Sequence, residues 1–117
     1  MHRSTNLNSD MNTVIDQQAF DLNTAGDRDL QKEILALFFE QIGSLVEELG
    51  ETQDDKRWFE IAHTIKGSAR NIGAVALASV AEQAEALDRP SASDTRDSLL
   101  TRIQGAVADI EAYSSVA

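Results

Sequence analysis

The stretch that decides the fold is residues 55–73, DKRWFEIAHTIKGSARNIG. On a helical wheel of about 100° per residue with Trp58 at zero, Ile61, Ala62, Ile65, Ala69 and Ile72 all fall within about 60° of the tryptophan. That spacing predicts an amphipathic helix ending near Ile72, with Gly73 at the turn. Thr52 followed three residues later by Asp55 resembles a capping box and sets the start of the helix. The polar residues of the same stretch lie elsewhere on the wheel. Lys66 falls near 80°, Arg70 near about 120°, His63 near 140° and Gly67 near 180°. One helix therefore carries a core stripe and, on its outer shoulder, a histidine with two cations and a glycine.

Working outward, the apolar spacing stays helical, and no sustained two-residue alternation marks a strand. A short leader helix is expected over Asp16 to Asn23, with Ile15, Phe20 and Leu22 as its apolar contacts. A long helix follows from Asp27 to Leu49, with Leu30, Ile34, Leu37, Phe38, Ile42, Leu45 and Leu49 on its main stripe. Phe39, Ile42 and Val46 form an edge to that stripe, and Gly50 is expected to stop the helix. Beyond Gly73, residues Ala74 to Asp88 form a further helix with Leu77, Val80, Ala84 and Leu87 inward. After a loop around Pro90, Ser93 or Asp94 caps a last helix bearing Leu99, Leu100, Ile103, Val107, Ile110 and Tyr113. Connections this short make successive helices antiparallel neighbours. The expected fold is all-α: an antiparallel up-down-up-down four-helix bundle with a short additional N-terminal helix. Residues 14–117 form the single bundle domain, and residues 1–13 are expected to be a disordered tail in which Met11 is a second candidate start.

Twenty Asp and Glu against ten Lys and Arg give a formal charge of −10, the opposite of the basic footprint that a phosphate backbone requires. Nucleic acid is therefore not an expected partner. No apolar run approaches the roughly 20 residues that span a bilayer, and no export signal is visible, so a cytoplasmic monomer is expected. The absence of cysteine removes disulfides and thiolate chemistry. A metal-binding bundle needs several inward-facing Glu and His side chains, whereas the only histidines are His2 and His63; no metal site is expected.

The acidic residues are unevenly spread: none occurs between Ile61 and Ala81, the window that holds His63, Lys66 and Arg70. An imidazole is a competent nucleophile near neutral pH. Phosphoryl transfer asks the protein mainly for positioning and charge neutralisation, which Lys66 and Arg70 are suited to give. Gly67, on the solvent side, costs about 1 kcal/mol relative to alanine and leaves a notch beside the ring. If the chain turns back at Gly73–Ala74, His63 stands level with Gln83, Ala84 and Glu85. A carboxylate on one ring nitrogen would fix the tautomer and free the other nitrogen. The competing account leaves Glu85 solvated.

The run from His63 to Ala74, HTIKGSARNIGA, resembles the signature of histidine-phosphotransfer (HPt) domains: His, any residue, an aliphatic, Lys-Gly, small residues, then Gly-Ala. With the helix plan, the resemblance extends over roughly Asp16 to Tyr113. It implies that His63 is phosphorylated, that Lys66 lies near the phosphoryl group, and that Gly67 allows a partner to dock, with Ser68 and Arg70 beside it. Many members of that family place a glutamine where this chain has Glu85, which looks more like the corresponding domain of chemotaxis kinases. The implied partners are receiver domains of hybrid histidine kinases and of response regulators. Their own acidic pockets supply Mg²⁺, so no cofactor belongs to this chain. Phe39, Ile42 and Val46 are either part of the docking surface or covered by the leader. There is no glycine-rich nucleotide loop and no room beside the bundle for an ATP-binding domain, so a carrier is expected rather than a kinase. The alternative is a helical interaction module that binds a receiver or kinase without carrying phosphate.

Overall fold

The computed structural model describes residues 14–116, and the expected tail at residues 1–13 lies outside them. Five helices appear among the described residues: α1 (Gln17–Asn23), α2 (Arg28–Glu51), α3 (Asp55–Asn71), α4 (Val75–Glu85) and α5 (Arg96–Val116), with a 3₁₀ turn at Pro90–Ala92. No strand occurs among the described residues. None of these helices is long and apolar enough to cross a membrane.

The helix starts follow from side-chain capping, in which a carboxylate accepts from first-turn N–H groups that have no partner within the helix. Asp16 caps α1 through the amide of Ala19, and Asp27 caps α2 through that of Leu30. The cap of α3 is Asp54, which accepts from the amides of Lys56 and Arg57, and not the expected Thr52–Asp55 box. Thr52 instead closes α2, and its hydroxyl accepts from the amide of Asp54. Gly50 does not stop α2, which runs on to Glu51. A methyl group at Gly50 would meet Leu100 Cδ2 at 3.2 Å, so this glycine serves close packing of α5. Gly73 does turn the chain, with φ +73°, and here the leader crosses: the Asp16 amide donates to the Gly73 carbonyl at 2.6 Å.

The core is a single cluster. Trp58, Ile61, Ala62, Ile65 and Ala69 of α3 lie in it with Leu77, Val80, Ala81 and Ala84 of α4 and Leu99, Ile103 and Ile110 of α5. α3 packs most extensively on α4, α4 on α5, and α2 touches both α3 and α5. Phe20 anchors the leader in the same core, whereas Leu22 is 80% exposed and makes none of the expected apolar contact. At the far end, the Arg96 guanidinium donates to the carbonyls of Leu49, Gly50 and Thr52 and lies 4.6 Å from the Trp58 ring centroid. It thereby satisfies carbonyls that the end of α2 leaves without helical partners.

Candidate functional site

α3 is fixed at its inner face, and that fixes what its outer face presents. The Trp58 indole donates to the Ala84 carbonyl at 2.7 Å, tying the register of α3 to the last turn of α4. With the helices in this register, Glu85 comes level with the outer shoulder of α3. His63 Nδ1 lies 2.6 Å from Glu85 Oε2, and Lys66 Nζ donates to Glu85 Oε1 at 2.5 Å. One carboxylate thus holds both residues.

Burial is graded across this trio. The Glu85 and Lys66 side chains are 12% and 14% exposed, and His63 is 63% exposed. The hydrogen bond from Lys66 holds the Glu85 carboxyl below its ordinary pKa, with a further contribution from His63; partial desolvation opposes both. Glu85 is therefore ionised near neutral pH and can only accept. It follows that the neutral imidazole carries its proton on Nδ1 and keeps the lone pair on Nε2. Lys66, expected beside a phosphoryl group, has one of its three donors committed to Glu85.

The remaining expected site residues divide. A Cβ at Gly67 would meet nothing within 4 Å, so no packing contact requires a glycine there. Arg70 is exposed and lies 3.8 Å from Glu82 on α4, a loose pair between exposed side chains. Ser68 is half-buried at the α2–α3 seam, in a cavity of about 220 Å³ shared with Ile34, Leu37, Phe38 and Gln41. Ile42 is not a docking residue: at 3% exposure it belongs to the core. Phe39 is half-buried and stacks edge-on against Phe38. By helical spacing Phe39 and Val46 lie on the same side of α2 as Gly50, where Leu100 of α5 packs, and not on the flank of Leu37 and Gln41 that meets α3. The wheel of α2 alone does not say which flank meets α3, so the sequence does not choose between a docking surface and a covered edge. The leader packs lower on α2, around Gln31 and Leu35.

Leu37, expected on the inward stripe of α2, is instead 56% exposed on the flank that faces α3 beside Ser68 and Asn71. One residue beside the histidine, Phe59, is given no role by the sequence pattern. Phe59 is 49% exposed and stacks on the His63 ring, with centroids 6.0 Å apart and planes at 15°. Its signal in the sequence is a bulky aromatic about 100° off the core stripe and four residues before His63. Glu60 and His63 also have the Glu-x-x-His spacing of bundle metal sites. Both are exposed, however, and Glu60 pairs with Arg57, so they do not converge on an interior.

The arrangement can present one imidazole nitrogen to an approaching electrophile, with the proton held on the other. A family model described as Hpt domain matches residues 33–113 of the chain. No curated protein and no solved structure matches it.

Proposed function

The chain belongs to the Hpt-domain family, and from that premise we propose that His63 accepts a phosphoryl group from the phospho-aspartate of one receiver domain and yields it to another. The observation that carries this reading is the bond from His63 Nδ1 to a carboxylate that Lys66 anchors in turn. Hpt domains take part in phosphorelays as phosphoryl carriers. The finer steps proposed here rest on the geometry of this chain.

The Nε2 lone pair attacks phosphorus. The N–P bond forms as the bond from phosphorus to the aspartyl oxygen breaks, and the aspartate leaves as a carboxylate. The proton on Nδ1 stays in its bond to Glu85 throughout, and the carboxylate stabilises the positive charge that develops on the ring. For the return step the same protonated ring is a good leaving group. Lys66 keeps Glu85 ionised and placed, and Arg70, two turns along the exposed face, offers a cation to the acidic rim of a receiver. Mg²⁺ for the exchange comes with the receiver. We assign the helices to an up-down-up-down bundle acting as a monomer in the cytoplasm.

The test is transfer from a labelled phospho-receiver. The wild-type chain should take up acid-labile, base-stable label, and His63→Gln should take up none. Comparable label on His63→Gln would refute the assignment, and tight receiver binding without any transfer would favour the interaction-module alternative.

A further inference from the structure

Nε2 must point along a defined direction to meet phosphorus, and the Glu85 bond alone does not define one. A single hydrogen bond from Nδ1 leaves the imidazole free to swing about the N–H···O axis. His63 is mostly exposed, so the core supplies no wall against it. The contact that restricts the plane is Phe59, whose ring lies 15° from parallel at a centroid distance of 6.0 Å, within the range of offset-stacked aromatic pairs.

The exposure of Phe59 has a structural cause. Residues facing each other across α3 and α4 have numbers summing to about 150, as the pairs His63–Glu85 and Arg70–Glu82 show. Phe59 therefore stands opposite residue 90 or so, beyond the end of α4 at Glu85. α4, expected to run to Asp88, ends three residues earlier. There the chain leaves the helix, and a large aromatic side chain stays half in water next to the one exposed histidine among the described residues.

We propose that Phe59 is a positioning residue for phosphotransfer: its ring face holds the imidazole plane while Glu85 holds Nδ1, and together they aim Nε2. This inference rests on the phosphocarrier reading. It requires a flat ring at position 59, not merely an apolar one, and this separates it from a docking contact.

The free, unphosphorylated protein should show cross-relaxation between the ring protons of Phe59 and His63 by NMR; absence of that signal would overturn the proposal without any partner being involved. In transfer assays with a phospho-receiver, Phe59→Ala and Phe59→Leu should lower the maximal rate by about two- to tenfold, the range set by the strength of an aromatic pair. Apparent KM for the receiver should stay within about twofold, since the effect lies in orientation and not in uniform binding. Phe59→Tyr should restore the rate. A Phe59→Leu protein as fast as wild type, or a loss confined to KM, would overturn the proposal in favour of a simple apolar contact. If wild type takes up no label, the carrier reading fails and this inference with it, whatever the NMR result.

Discussion

Trp58 and Phe59 are adjacent aromatic residues with opposite fates. The indole is fully buried, with its N–H on the Ala84 carbonyl and its face under Arg96; the phenyl is 49% exposed and touches the histidine. About 100° of helical rotation separates them. The inner residue sets where α3 sits against α4, and the outer one belongs to what α3 then displays. The same division runs along the helix. Ile61, Ala62, Ile65 and Ala69 are at most 1% exposed, while His63, Gly67 and Arg70 face water. The outer shoulder can tolerate an exposed phenyl and an unpacked glycine because the opposite face supplies the stability.

Breaking the inner face should have the largest effect. Trp58→Ala removes the bulk of a core side chain, its hydrogen bond and the surface beneath Arg96. It should cost about 3–5 kcal/mol in chemical denaturation, against a change within about 0.5 kcal/mol for Phe59→Ala. If the two variants lose similar stability, the division of labour between the faces is wrong.

A smaller effect of opposite sign is expected at Gly67. Alanine there meets no neighbour in the chain and improves helix propensity, so Gly67→Ala should gain up to about 1 kcal/mol. Transfer from a phospho-receiver should nevertheless fall, by about ten- to a hundredfold if the methyl displaces the partner by an ångström or so. Stability and activity would then move apart in one variant. A loss of stability would place Gly67 on a packed face, and unchanged transfer would remove it from the docking surface.

Much of this division was legible in the sequence, because a core stripe at helical spacing and a polar shoulder are properties of one helix. What was not legible depended on how helices meet. The wheel of α2 places Phe39 and Ile42 on an apolar edge, yet only the packing of α5 on Gly50 and of α3 beside Leu37 shows which edge meets which helix. Phe59 has a wheel position off the core stripe, but its exposure was not legible, for a related reason. α4 ends at Glu85, and the residues there, Ala84, Glu85, Ala86 and Leu87, give no local signal for stopping. At the start of α3, where Thr52, Asp54 and Asp55 lie together, the pattern alone does not choose the capping residue. Glu85 came within reach of prediction because the tight turn at Gly73 fixes the register of two consecutive helices.

The smallest effect expected is the one that ties the two faces together through Glu85. Its carboxyl is held below the ordinary value first by Lys66 and then by His63, against the cost of partial burial. A carboxyl whose pKa is lower folded than unfolded binds fewer protons in the native state, so its contribution is complete above the unfolded pKa and fades as pH falls through the folded one. With an ordinary value of 4.5, the contribution should be constant from neutral pH down to near that value and should decline below it. Glu85→Gln preserves the shape of the side chain but not its charge. The melting temperature of wild type should therefore exceed that of Glu85→Gln near neutral pH, and the difference should narrow below pH 4.5. Only the difference between the two proteins is informative, because every other carboxylate titrates in both. A difference that widened in acid would mean that Glu85 is better held protonated. Its bond to the imidazole would then donate rather than accept, and the proton would belong on Nε2, the nitrogen that must be bare for transfer.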